Sequence, residues 1–431
     1  MMNGWHAIVE NNGLKTIYDK IVWILFLFVL ITYPFSVNIN SLSIILLVSF
    51  SGIKLIKNKR IYFHKVHLLF FLFFLIRLLS LLYTSNISSG GRAIERSIGL
   101  IVFPLVFMIN KPIFSNVFFF LKALNISTFF ASVFCLLCNL RFFIINEISV
   151  DWWLDWKYNN HHLSSYLDFG PNYFSFLITI NLLGMYFYKY RSLKIKMIYA
   201  FMYLTQLVFL LLLSSRSLIA FFLLSTILLL VRNAYLQKKA KTMIVTVVFI
   251  VIGMLVVSSI PVVKQRFNKT YKEIISKDNT NTQVGGYVNR LQKIKSSVNV
   301  LKENYIFGVG VGDVKDELKK QYIAINFKEG IDNSFDAHNQ YLQSYLGTGF
   351  LGFILYSIIL ITIGRIFILK KQYFFLLVTA IYIYFSFFES LIETHKGVVL
   401  FSILVLLILP VENNMIYNLK FSNKRNKRIK S

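Results

Sequence analysis

The chain has 431 residues, of which 56% are hydrophobic and 15% are charged, and its formal net charge is +27 at pH 7. A soluble domain is typically about 45–50% apolar and about 25% charged, so these charged side chains are too few to solvate a globule of this size. The composition therefore excludes an ordinary soluble protein and predicts a chain that crosses a lipid bilayer repeatedly. The basic residues lie in short runs between apolar segments, which is typical of topology signals and argues against nucleic-acid binding.

Apolar segments long enough to span a membrane recur along the chain. A span needs about 20 mostly apolar residues, and the first such segment is followed by others, so we interpret it as an anchor and not as a cleaved signal peptide. The twelve candidate spans are residues 21–37, 39–56, 66–83, 94–110, 123–141, 171–188, 195–213, 217–231, 242–260, 343–364, 373–388 and 397–411. The second and eighth are short for a span. We expect an all-α polytopic membrane protein of about twelve transmembrane helices.

Lys and Arg alternate between the two sides of these predicted spans. The gaps after spans two, four, six, eight and ten and both tails are rich in basic residues. The short gaps and span ends on the other side hold Arg92, Arg96, Arg141, Lys157, Arg216 and Lys396. Cytoplasmic loops carry the excess of Lys and Arg, so the pattern predicts that both termini are cytoplasmic.

This orientation predicts the organisation of the chain. Nine spans occupy residues 1–260, a large outer loop occupies 261–337, and three further spans occupy 338–411. The remaining residues, 412–431, form a basic cytoplasmic tail that is expected to lie in solvent or against lipid headgroups.

The outer loop has a helical pattern of its own. Apolar residues recur near helical spacing in YVNRLQKIKSSVNV, residues 287–300, and a further helical piece, DVKDELKKQYIAI, begins at residue 313. The glycine-rich stretch FGVGVGDV, residues 307–314, separates them. It does not follow a strand, which disfavours a dinucleotide-binding fingerprint. We interpret it as a sharp turn between two helices.

Residues at the predicted outer face are candidates for chemistry. Arg216 lies in LLLSSRSLIAFF between two apolar runs, and charged residues at membrane depth are usually functional. The alternative is that Arg216 only extends its guanidinium to the lipid headgroups. Arg290 lies on the first loop helix, where by itself it would be a solvated surface residue. His338 and Asn339 precede span ten; an imidazole pKa near 6.5 suits proton transfer, and Asp336 either orients the ring or faces water.

Other polar residues are weaker candidates. Arg77 lies in the outer half of span three. Arg92, Glu95 and Arg96 lie at the outer start of span four, where we expect local ion pairs between the glutamate and the arginines. The sequence contains no DxD pair, no HExxH motif and no Cys/His ligand set. We therefore expect neither a metal nor another cofactor.

The order of these segments resembles the O-antigen ligase and O-antigen polymerase family of bacterial envelope glycosyltransferases. The resemblance rests on LLLSSRSLIAFF, on NRLQKIKSSVNVLKENYIFGVGVG in the outer loop, on AHNQYLQSYLGTGFLGFILY entering span ten and on FESLIETHKGVVLF at the last span. Together these segments cover roughly residues 205–405. The resemblance implies an all-helical fold similar to the GT-C membrane glycosyltransferases, in the bacterial inner membrane, with the active site on the periplasmic face.

The resemblance also implies roles for individual residues. Arg216 and Arg290 match the two arginines that grip the diphosphate of a polyprenyl-diphosphate-linked glycan donor. His338 matches the histidine that activates the acceptor hydroxyl, and catalysis in the family is metal-independent. Glu389 and Glu393 match the family's acidic start of the last span, where they either bind the acceptor sugar or pair with arginines.

The predicted function is transfer of the lipid-linked glycan, most simply O-antigen ligation to lipid A core. Polysaccharide polymerisation by the same family, with another glycan as the acceptor, is the alternative, and a protein acceptor is a further one. A flippase for the same lipid-linked sugar is an alternative from another class, but its charges should be spread over many spans. A non-catalytic scaffold would tolerate the loss of Arg216 and His338.

Overall fold

The computed structural model describes residues 14, 16–150, 153–155, 157–190, 192–237, 261, 264–265, 268, 271, 286–409 and 415–418. Helices dominate this part of the chain. Within it, seven helical runs are long and apolar enough to cross a membrane, judged by length and composition. The expected all-α polytopic membrane protein is thus confirmed at this level. The number of twelve spans stays a prediction, and the predicted span 242–260 lies outside the described residues.

The described residues of the first part of the bundle form ten helices, several of which begin with a polar capping residue. The helices are α1 (Ile17–Thr32), α2 (Val37–Asn58), α3 (Lys65–Leu79), α4 (Ile87–Ser97), α5 (Gly99–Asn110), α6 (Val117–Ile145), α7 (His161–Ser165), α8 (Pro171–Phe187), α9 (Leu193–Leu213) and α10 (Arg216–Gln237). Thr16 and Asp19 form a capping box at the start of α1. Pro171 opens α8 at the first position, where a helix needs no backbone N–H donor.

The second part contains the loop helices and the last apolar helices. They are α11 (Gly286–Glu303), α12 (Val314–Ala324), α13 (Lys328–Asn333), α14 (Gln340–Leu369), α15 (Tyr373–Phe385) and α16 (His395–Ile408). Helices α11 and α12 occupy the two loop segments in which the sequence has helical periodicity. They share a small hydrophobic cluster that includes Val300, Leu318 and Tyr322.

Large aromatic side chains fill the centre of the bundle, while aliphatic side chains cover its outside. Phe26, Phe107 and Phe120 are fully buried, and the Phe26 ring lies edge-on to both of the others, with centroids 5.6 and 5.0 Å away. Ile45 and Ile361 are exposed on the outer helix faces. Apolar surface of this kind is what contact with lipid requires.

The glycine-rich stretch docks the loop helices onto a bend in α14. The N–H of Val309 donates to the carbonyl of Leu346 at 2.7 Å, and the N–H of Phe350 donates to the carbonyl of Ile306 at 3.1 Å. Between these two contacts, Gly349 leaves the helical conformation, with φ 66° and ψ −165°. The stretch is therefore a turn between two helices, as expected, and it also joins them to the bundle.

The same stretch makes a second contact with the bundle through Asp313. Its carboxylate accepts hydrogen bonds from the N–H groups of Ser85 and Asn86, at 2.6 and 2.7 Å. These residues immediately precede α4. The loop helices are thus held at the end of α3 where that helix joins α4.

A substitution at Gly349 should test this docking. In Gly349→Ala the added Cβ would collide with the carbonyl oxygen of Ile306, and the positive φ disfavours any L side chain. We expect a loss of stability of about 1–3 kcal/mol, read as a lower melting temperature of the purified protein in detergent. Gly52→Ala is the matched control, because a Cβ at Gly52 meets no atom within 4 Å. Equal melting temperatures for the two variants would contradict the docking role.

A short sheet, absent from the all-α prediction, joins distant parts of the chain. Strand β1 (Arg60–Phe63) pairs antiparallel with β2 (Met415–Asn418). Because β1 precedes α3 and the docked loop lies beyond the far end of α3, the sheet and the loop lie at opposite ends of that helix. The arrangement agrees with a tail and a loop on opposite sides of a membrane, although which side is cytoplasmic stays a prediction.

Candidate functional site

Residues from distant parts of the chain surround a polar cavity of about 180 Å³ at the loop end of the bundle. The cavity is lined by Asn172, Ser214, Ser215, Arg216, Ser217, Gly286, Asn289, Arg290, Lys293, His338 and Glu389. Arg216, Arg290 and His338, which the sequence analysis singled out, thus lie together.

Several helices begin at this cavity. Arg216 is the first residue of α10, Gly286 is the first residue of α11, and Asn172 is the second residue of α8. His338 lies two residues before the start of α14. The N-terminal end of a helix presents free backbone N–H groups and a partial positive charge. These helix ends and the guanidinium groups make the cavity suited to an anion.

The turn between α9 and α10 sets the position of Arg216. Ser214 ends α9 in the left-handed conformation, with φ 48°, and its Oγ accepts a hydrogen bond from Asn160 Nδ2 at 3.0 Å. A Cβ at Gly286 would lie 3.3 Å from Arg216 Nη2. Glycine at the start of α11 therefore leaves room for the Arg216 guanidinium.

Arg290 lies one turn further along α11 and is half-buried. Its guanidinium carbon lies 5.1 Å from the ring centroid of Phe388, the residue before Glu389. The neighbouring Asn289 donates a hydrogen bond to the carboxylate of Glu329 on α13. The first contact holds α11 against the segment between α15 and α16, and the second holds it against α13, so the loop helix completes the cavity.

His338 lies between two carboxylates. Its Nδ1 is 3.4 Å from Glu389 Oε2, and its Nε2 is 3.6 Å from Asp336 Oδ1. The backbone N–H of His338 donates to that same Asp336 oxygen at 2.9 Å. The residue has φ 44°, a conformation that is uncommon for residues other than glycine and that clusters at functional sites.

Glu389 is buried and connects His338 to the turn that carries Arg216. Its Oε1 accepts a hydrogen bond from Asn172 Nδ2, and Asn172 Oδ1 accepts one from Ser215 Oγ at 3.0 Å. A continuous polar connection therefore runs from Ser215, beside Arg216, to the His338 imidazole.

The carboxylate of Glu389 and the protonated imidazole of His338 stabilise each other. Burial by itself lowers the pKa of His338, but the carboxylates of Glu389 and Asp336 outweigh it, so the pKa is raised above 6.5. Burial raises the pKa of Glu389, but His338, Arg290 and the Asn172 hydrogen bond outweigh it, so this pKa is lowered. Glu389 is thus a carboxylate at neutral pH and can accept a hydrogen bond from the Nδ1–H group of the imidazole.

Asn339 and Arg92 lie outside the lining of the cavity. Asn339 caps α14, where its Oδ1 accepts the N–H of Leu342 at 3.1 Å. Arg92 is exposed and donates to Ser88 and Ser89 on its own helix, at 2.9 and 3.0 Å. A direct contact with substrate in the cavity is therefore not indicated for either residue.

Arg77 is placed in a buried ion pair with Glu393. Its Nη1 and Nη2 contact the two carboxylate oxygens at 2.9 and 3.3 Å, and its Nε donates to Ser97 Oγ at 3.0 Å. Of the two expectations for Glu393, acceptor binding or pairing with an arginine, the structure shows the pairing. Arg77 therefore joins α3 to the segment before α16.

Sequence reasoning missed Lys293 and Asn172 as cavity residues. Lys293 follows Arg290 by three residues, a spacing that places both on the same face of a helix, and this signal was available in the sequence. Asn172 follows Gly170 and Pro171, and nothing local marks it as a partner of Glu389. Among the described residues, no group of three or more His, Cys, Asp or Glu side chains is arranged to hold a metal ion.

The fold and the cavity define a class: a multi-pass helical membrane protein with an anion-suited polar site at one end of its bundle. Residues 201–357 match the model of the O-antigen ligase family, and this match bears out the resemblance to that family found in the sequence. It includes Arg216, Arg290 and His338, whereas Asn172 and Glu389 lie outside it.

A bacterial protein also matches part of the chain. An uncharacterised protein of Haemophilus influenzae is 29% identical over 140 residues, which is 32% of this chain and 34% of that protein. The chain thus matches about a third of the relative's length. The family match therefore carries the comparison with known proteins.

Proposed function

We propose that the protein is a membrane glycosyltransferase that moves a glycan from a polyprenyl-diphosphate carrier to an acceptor hydroxyl, with ligation of O-antigen to lipid A core as its reaction. One observation carries the proposal: Arg216, Arg290 and His338, contributed by separate segments, line the same cavity at the N-terminal ends of helices. The family match, described as O-antigen ligase, supports the same class of reaction.

The two arginines suit the diphosphate of the donor. A guanidinium stays charged at any physiological pH and can hold two phosphate oxygens at once. The helix N-termini around the cavity add N–H donors and positive potential. Arg216 begins α10, an apolar helix, so a lipid-linked donor that enters laterally from the bilayer can bring its diphosphate to this position.

His338 suits activation of the acceptor. With Nδ1 donating to Glu389, Nε2 is the basic nitrogen, and its distance of 3.6 Å from Asp336 is too long for a hydrogen bond. Nε2 takes the proton of the acceptor hydroxyl as its oxygen attacks the anomeric carbon. The bond from that carbon to the diphosphate oxygen breaks, and polyprenyl diphosphate leaves with the electron pair. The arginines stabilise this leaving anion.

Polymerisation of the glycan would use the same chemistry with a different acceptor. Each acceptor gives a different product, so an experiment can distinguish polymerisation from ligation. A flippase is disfavoured, because the charged lining of the cavity is confined to one end of the bundle.

Deletion of the gene in the source cell, followed by lipopolysaccharide gels, tests the proposal. A ligase predicts complete loss of long glycan on lipid A core, with accumulation of the lipid-linked glycan. A single repeat unit left on the core would instead indicate a polymerase. Complementation with the wild-type chain and with Lys302→Ala, an exposed loop position, should restore the wild-type pattern, whereas Arg216→Ala should not. Unchanged lipopolysaccharide in the deletion strain would contradict both reactions.

A further inference from the structure

Lys293 is a buried cation that lines the same cavity. The residue is only 5% exposed, and its Nζ lies 3.6 Å from the ring centroid of Phe335. In the described part of the chain, Nζ makes no hydrogen bond. Its interactions there are the contact with this ring and longer-range interactions with charged groups. An ammonium has three N–H donors, so Lys293 has donors left for a bound ligand.

The charged groups around Lys293 come from several elements. Asp336, Glu389 and Glu329 favour its charged form, and Arg290 opposes it. His338, between Asp336 and Glu389, faces the same cavity. Burial lowers the pKa of Lys293 to about 8, with Asp336 and Glu389 opposing that shift. The ammonium is therefore still charged at neutral pH, although burial of a charge without hydrogen-bond partners costs free energy.

The proposed reaction creates a negative charge that is absent from the donor. A diphosphate esterified at both ends carries two negative charges, which two arginines match. When the glycan leaves, the freed phosphate becomes a monoester and gains further negative charge, since its second pKa is near 6. An interaction with this new charge is stronger in the transition state than with bound donor, and such an interaction raises kcat instead of lowering KM.

We propose that Lys293 is a further cationic residue of the site, which donates a hydrogen bond to the diphosphate oxygen that gains charge as the glycosidic bond breaks. The proposal rests on the proposed function. In this step the acceptor oxygen bonds to the anomeric carbon, its proton goes to His338 Nε2, and the electron pair of the broken bond stays on the diphosphate. Lys293 keeps its proton throughout.

Kinetics of the full-length protein in proteoliposomes test the role in transfer. Lys293→Met, which keeps length without charge, should lower kcat by about 100-fold and change KM for the donor by less than about threefold. Lys293→Arg should restore part of the rate. Lys295→Met is the matched control, because Lys295 is exposed two residues further along the same helix, and it should retain the wild-type kcat. An unchanged kcat in Lys293→Met, or a loss shared with Lys295→Met, overturns the proposal.

The pH dependence separates this role from a purely structural one. Wild-type activity should fall as pH rises through the pKa of Lys293, because the neutral amine no longer offers positive charge. Lys293→Arg should remain active at higher pH, because a guanidinium stays charged there. An alkaline limb that is identical in the two proteins overturns the assignment.

A binding measurement is independent of turnover. Lys293→Met should weaken the binding of farnesyl diphosphate by about 10-fold or more, but should weaken the binding of its terminal methyl ester by less than about threefold. Equal effects on both probes overturn the proposal. If Lys293→Met has this effect on binding but the wild-type protein transfers no glycan, the proposed function fails and the diphosphate role of Lys293 stands. If the wild-type protein transfers glycan and Lys293→Met transfers it equally well, the proposed function stands and the role of Lys293 fails.

Discussion

Arg216→Lys and Arg290→Lys should each lower glycan transfer by about 100-fold or more, although both variants keep the positive charge. Lysine cannot hold two phosphate oxygens in the fixed geometry of a guanidinium. Removal of one preorganised donor at a developing negative charge typically costs about 10²–10³ in kcat. Both side chains line the same cavity, so the losses arise at one bound group, the diphosphate.

The measurement is transfer from a polyprenyl-diphosphate-linked glycan by each variant in proteoliposomes, with quantity and melting temperature matched to wild type. Lys302→Ala, which changes an exposed cation on the same helix as Arg290, controls for the total charge of the loop. If both arginines hold the same diphosphate, the double variant should lose less than the product of the two single losses. Wild-type rates in Arg216→Lys and Arg290→Lys would refute a role for the pair in donor binding.

His338→Ala should lower kcat by about 10²–10⁴-fold, the usual contribution of a general base.

Glu389→Gln should change the dependence of activity on pH. In the proposed reaction the base is the neutral imidazole, so activity should rise as pH rises through the pKa of His338, which Glu389 helps to raise. Without that carboxylate the pKa falls, and the acidic limb of the profile of kcat/KM should move to lower pH. The plateau should also fall, because the hydrogen bond that orients Nδ1 is changed.

Glu393→Gln is the matched control for this experiment. Glu393 is also an acidic residue between α15 and α16, but it pairs with the buried Arg77 and is not part of the cavity lining. Breaking a buried ion pair by removing one partner typically costs about 3–5 kcal/mol. We therefore expect a lower melting temperature with the acidic limb unmoved. An acidic limb that is the same in wild type and Glu389→Gln would show that Glu389 does not act on the base.

The three candidate residues that line the cavity were predictable because each carries a local signal. Arg216 lies between two apolar runs, Arg290 lies in a segment whose apolar residues have helical spacing, and His338 lies shortly before a predicted span. Hydropathy and charge also indicate membrane helices without any knowledge of their packing. The resemblance to the O-antigen ligase family suggested the roles that we propose for these residues.

Partners that depend on packing could not be predicted in the same way. Glu389 and Glu393 are four residues apart and both follow an apolar span, yet Glu389 pairs with His338 and Glu393 pairs with Arg77. Asn172 reaches Glu389 from another helix start. Each pairing joins segments far apart in the chain, so no local pattern distinguishes between them.

By itself, the sequence determined that this chain is a helical membrane protein and which segments carry its candidate residues, because lipid burial and helical periodicity act on neighbouring residues. Only the tertiary structure decided that Arg216, Arg290, Lys293 and His338 line the same cavity. That convergence depends on the bend at Gly349 and the docking of the glycine-rich stretch. Those contacts are set by close approach of backbones, which a one-dimensional pattern of hydropathy and charge does not contain.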